Sequence, residues 1–143
     1  MVDSNAMPAG ARPRRGRSVW AILAGFLCVV LLSLGTDELL HLLKVYPPWE
    51  EMMSDRLFGV ATAYRAVYNV VGCYVAAWLA PGRPMRHALL LGWVGVFVAA
   101  LGAAATWNHQ PSLGPHWYSV VLVVIALPCA WVGGKLYEMR TRS

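Results

Sequence analysis

Charge is what this sequence has least of. Asp, Glu, Lys and Arg make up 13% of its 143 residues, whereas a soluble domain carries roughly 25%. So few charges do not supply the surface of a water-soluble fold. Cysteine is also scarce. Cys28, Cys73 and Cys129 are isolated inside apolar runs, with no C-x-x-C pair and no metal-type spacing. They read as small packing residues, which speaks against thiol–disulfide chemistry. A Walker loop, a G-x-S-x-G elbow, an H-E-x-x-H helix and a dinucleotide fingerprint are all missing. The sequence therefore offers no catalytic constellation, and an enzyme is not expected.

Long apolar runs are what the chain does have. Hydrophobic residues reach 58%, and about 20 consecutive apolar residues cross the hydrocarbon core of a bilayer. Four stretches qualify, near residues 19–43, 57–80, 85–105 and 117–136. Lipid leaves each no choice but helix, because an unpaired backbone group there costs several kcal/mol. Prolines mark the breaks: Pro47 and Pro48, then Pro81 and Pro84 around Gly82, then Pro111 and Pro115. Pro128 falls inside the last stretch and predicts a kink. No A-x-A site follows the first span, so it reads as a retained helix rather than a cleaved signal. The expected layout is a disordered basic tail at 1–17, a transmembrane domain at 18–137 and a short basic tail at 138–143.

The basic residues set an orientation. Arg12, Arg14, Arg15, Arg17, Arg83, Arg86, Lys135, Arg140 and Arg142 fall on one side, against Lys44 and Arg56 on the other. Lys and Arg accumulate on the cytoplasmic side, so both termini are expected there. This distribution accounts for the formal charge of +5 without a nucleic-acid partner. Trp20 and Trp78 at one set of helix ends, and Trp49, Trp107 and Trp117 at the other, form the two interfacial belts. The reading is an all-α integral membrane protein: an antiparallel bundle of four transmembrane helices, both termini inside, in a bacterial inner membrane.

Helices in lipid associate through small residues that let backbones approach. The third span carries Ala88, Gly92, Gly95, Ala99 and Gly102 on one stripe. The second carries Gly59, Ala63, Ala66, Cys73 and Ala77, and the fourth offers Ala126, Ala130 and Gly134. A short turn joins spans two and three, so these two are expected to pack along their stripes.

Polar residues inside the spans are the candidate site. Asp37, Glu38 and His41 lie toward the end of the first span, and Arg65 and Asn69 lie within the second. Arg65 sits about 12 Å from its span end at roughly 1.5 Å rise per residue, and Asp37 lies at similar depth. An arginine in mid-membrane costs roughly 2.5–3.5 kcal/mol, while each large aliphatic residue returns only about 0.3–0.6. Arg65 therefore needs a carboxylate partner, Asp37 or Glu38, with Tyr64, Tyr68 and Tyr74 as further hydroxyls. The third loop, with His109, Gln110 and His116, returns to the same end as His41. Histidines and a carboxylate in one place suit a transition metal or, axially, a haem.

Three functions follow as expectations. The first is a non-catalytic subunit, assembly factor or interaction module, working in the lipid bilayer as a homo-oligomer or with a membrane-protein partner, and without a cofactor. The second is a small-solute, ion or proton transporter built on the carboxylate–Arg–His cluster. The third is a metal- or haem-binding membrane protein.

Overall fold

The computed structural model describes residues 14–109 and 114–143, and these are all-α. Helix α1 spans Arg14–Leu42, α2 spans Asp55–Leu79, α3 spans Pro84–Thr106 and α4 spans His116–Arg142. Most of the expected basic tail, with Arg12, and the loop residues Gln110 and Pro111 lie outside the described residues. Helix α1 starts ahead of the expected span, so Arg15 and Arg17 are helical rather than part of a tail; arginine is a good helix former. Helix α4 likewise runs past the expected end. Arg140 and Arg142 in its last turn meet the negative end of the helix dipole.

Helices α1, α3 and α4 are each long and apolar enough to cross a membrane, which marks a membrane-embedded protein. Helix α2 is not among them, because Tyr64, Arg65, Tyr68 and Asn69 interrupt its apolar run. The exposed surface is apolar: Leu23, Leu27, Leu31 and Leu34 on α1, Phe97 and Leu101 on α3, Val120 and Val124 on α4. Patches of this extent would be unstable in water. The core, by contrast, is made of small residues, with Cys73, Ala76, Ala77, Ala88, Leu91 and Ala130 buried together.

Helix α2 packs on both α1 and α4 and, like α3, meets each of the other helices. Two close approaches hold it. At Gly25 of α1, an added Cβ would lie 2.5 Å from the carbonyl oxygen of Gly72. At Gly133 of α4, it would lie 2.5 Å from the carbonyl oxygen of Val70. Only glycine permits such backbone contact.

The sequence reading expected the small-residue stripe of α3 to pack on α2. Ala88 does share a buried core with Cys73, Ala76 and Ala77 of α2, but Gly92 and Gly95 of the stripe face α4. A Cβ on Gly92 would meet Ala130 at 2.5 Å, and one on Gly95 would meet Ala126 at 3.7 Å. The reason lies in α2, whose own smallest face, around Gly72 and Cys73, is already covered by Gly25 and Gly133. Within the expected stripes, Cys73, Ala77, Ala88 and Gly92 are buried. Gly59, Ala63 and Gly102 are exposed, and Ala66 and Ala99 are half-buried.

The helix ends follow local chemistry. Helix α1 closes with the amide of Lys44 donating to the carbonyl of His41 (3.0 Å) and that of Val45 donating to Leu40 (3.0 Å). Lys44 adopts φ 56°, so this is a Schellman turn with lysine where glycine is usual. Pro84 opens α3, where its missing donor is harmless.

Replacing Gly72 or Gly133 by leucine is expected to destabilise the fold by about 1–3 kcal/mol through overpacking. Gly59→Leu, which meets nothing within 4 Å, is expected to stay within about 0.5 kcal/mol of the parent. Thermal unfolding in detergent, followed by circular dichroism, separates the two outcomes.

Candidate functional site

The site begins with Asp37, which is buried despite its charge (9% exposed). It sits on the last turns of α1 and faces α2. One carboxylate oxygen accepts from Arg65 Nη2 at 2.5 Å. The other accepts from the hydroxyl of Tyr64. Arg65 turns its second terminal nitrogen to α4, where Nη1 donates to the Tyr118 hydroxyl, and its guanidinium lies 5.7 Å from the centre of the Tyr118 ring. One arginine in the middle of α2 thus ties α1 to α4. Its Nε is buried and has no acceptor among the described residues.

A shell of hydroxyls and rings surrounds this pair. Tyr46 and Tyr64 share a hydrogen bond of 3.2 Å, and Thr36 and Tyr68 share one of 2.7 Å. The Schellman turn folds the chain back so that Tyr46 is buried edge-on to His41, 5.3 Å between centres. Pro47 and Pro48 then carry Trp49 back over the same imidazole, stacked at 3.8 Å and 12°. His41 Nδ1 donates to the carbonyl of Asp37 at 2.7 Å, which fixes the ring and, in the neutral form, leaves Nε2 as an acceptor. Phe58 of α2 lies 5.0 Å from Tyr118.

Asp37, Arg65, His41, Tyr46, Trp49 and Phe58 line a cavity of 390 Å³ between the ends of α1 and α2, the connecting loop and Tyr118. Arg65 also lines a second, apolar cavity of 290 Å³ among all four helices, with Asn69, Ser33 and Gly95. The guanidinium therefore stands between a polar cavity and an apolar one.

The remaining candidates are spread out. Glu38 is exposed and does not face Arg65; one residue further along the helix, it points about 100° away from Asp37. The Asn69 carbonyl oxygen lies 4.0 Å from Cys73 Sγ as its acceptor. His116 stacks on Trp107 at 4.2 Å and donates from Nε2 to the Trp107 carbonyl at 3.1 Å. His109 is exposed, and its backbone amide donates to Thr106. Among the described residues, no three His, Cys, Asp or Glu side chains come together as a metal site. Tyr74 lies at the other end of α2, where its hydroxyl accepts from Arg140 at 3.0 Å.

Sequence reasoning did not place Tyr118, Tyr46 or Phe58 in the site, and it read Trp49 only as part of an interfacial belt. The one signal for Tyr118 was a buried arginine, whose five N–H donors exceed what one carboxylate can accept. Compared with family models, curated proteins and solved structures, the chain matches none.

Tyr118→Phe leaves Arg65 Nη1 without its acceptor and is expected to cost about 1–3 kcal/mol. Tyr74→Phe removes only an exposed contact and is expected to cost less than about 0.5 kcal/mol. Unfolding midpoints of the two variants in detergent give the comparison, and equal losses would contradict the role assigned to Tyr118.

Proposed function

We propose that this chain is a four-span antiparallel helical bundle with both termini in the cytoplasm, acting as a non-catalytic subunit or interaction module. One observation carries the functional part. Both Asp37 oxygens and both terminal nitrogens of Arg65 are engaged by groups of the protein itself, and those groups come from three helices. That is what a structural latch requires. A catalytic or relay carboxylate needs an oxygen open to its proton donor or substrate.

The position of α2 supports a fourth span. Its mid-helix polar residues Tyr64, Arg65, Tyr68 and Asn69 are half-buried, while Val60, Val67, Val71 and Trp78 form an exposed apolar stripe. A helix with this division presents lipid on one side and its charge to the protein on the other. Opposite running directions are supported by register, since Gly25 of α1 meets Gly72 of α2 and the later Asp37 meets the earlier Arg65. The Lys and Arg bias supplies the orientation.

Two measurements test this reading. In sealed right-side-out vesicles, an impermeant thiol reagent is expected to label cysteines placed at Glu50 and His109 and to spare those at Arg83 and Ser143. The reverse pattern would overturn the orientation. Cross-linking in native membranes is expected to yield a discrete larger species, holding a second copy or another membrane protein. A chain recovered only as monomer would overturn the module.

A further inference from the structure

We infer that the cavity at the α1–α2 connection binds a small organic cation of the alkylammonium or quaternary ammonium class. Its volume, 390 Å³, falls within the range of small-molecule sites, about 300–1,000 Å³. Two independent properties of its wall point to the same ligand.

The first is aromatic. Tyr46, Trp49, Phe58 and Tyr118 converge on the cavity from the loop, α2 and α4. Aromatic faces attract cations through the ring quadrupole, most strongly when water is excluded. The protein already uses one of these rings so, with the Arg65 guanidinium beside Tyr118. Trp49 is held in advance. One face of its indole rests on His41, and the residue remains 70% exposed while lining the cavity. A ring fixed before binding loses little freedom on contact with a ligand.

The second is charge. The ionised groups on the wall are Asp37, Arg65, Glu50 and Glu51, with His41 as the remaining titratable ring besides the tyrosines. Asp37 and Arg65 neutralise each other at 2.5 Å, which leaves two carboxylates uncompensated. Carboxylates at a low-dielectric mouth concentrate cations there. An anion would meet their repulsion. A neutral apolar solute would desolvate them with nothing in return. A multivalent metal ion would require converging ligands, and no such trio forms among the described residues. A soft cation with an alkyl surface satisfies both the rings and the carboxylates.

The test uses the full chain in detergent and isothermal titration calorimetry with choline. The control is the uncharged isostere in which carbon replaces the ammonium nitrogen. Choline is expected to bind saturably, and the isostere about tenfold more weakly or not at all. Trp49→Leu, and separately the pair Glu50→Gln with Glu51→Gln, are each expected to weaken choline about threefold or more, while Trp49→Phe retains most of the affinity. Those side chains are exposed, so helicity by circular dichroism should be unchanged in all three. The inference is overturned by an absence of saturable choline binding, by equal binding of the isostere, or by affinity unmoved in the Leu and Gln variants.

Discussion

The ion pair between Asp37 and Arg65 is the constraint on which the rest of the structure depends. An arginine left unpaired inside a membrane-embedded protein is expensive, and a carboxylate beside it removes much of that penalty. Pairing them at 2.5 Å fixes the register of α1 against α2. The second guanidinium nitrogen, on Tyr118, then fixes α4 against both. Buried ion pairs add little net stability compared with apolar packing, but losing one partner is severe because the other charge remains. The pair therefore acts chiefly on specificity, selecting one arrangement of three helices that lipid-facing leucines alone would leave free to rotate.

Packing differs between the two ends of the molecule. Toward the α2–α3 turn, Gly72, Ala76, Ala77, Ala88, Gly92, Ala130 and Gly133 bring backbones into contact. Toward the α1–α2 loop, tyrosines, Phe58 and Arg65 take their place, and bulky polar groups hold the helices apart. Both cavities that Arg65 lines lie on that side of the small-residue core. Tight packing at one end thus provides the rigid base from which the wider, polar end is built. Helix α1 shows the consequence. Among the described residues its backbone approaches α2 and α3 but not α4, and Asp37 is linked to the Tyr118 hydroxyl of α4 through Arg65.

Much of the helix layout was legible in the sequence, because apolar runs and prolines act locally. Pro81 and the Tyr46–Trp49 stretch do fall between helices, and Pro84 begins α3. Matching Asp37 with Arg65 was legible for the same reason: depth along a helix follows from counting residues. What required three dimensions was not. Helix α3 carries a stripe of small residues that fits either neighbour, and only the occupation of α2 by Gly25 and Gly133 sends it to α4. The Schellman turn at Lys44 carried no glycine to announce it, so the return of Tyr46 and Trp49 onto His41 had no local signal. Tyr118 is remote in sequence from both charges it serves.

The central claim is that Asp37 and Arg65 hold the helices together as a coupled pair, and a double-mutant cycle measures that coupling directly. Unfolding free energies in detergent would be compared for the parent, Asp37→Asn, Arg65→Met and the double variant. The account predicts a coupling of about 2 kcal/mol or more, with the double variant less damaged than the two single losses combined. Additive losses, with a coupling near zero, would show that the two charges are neighbours without holding anything in place.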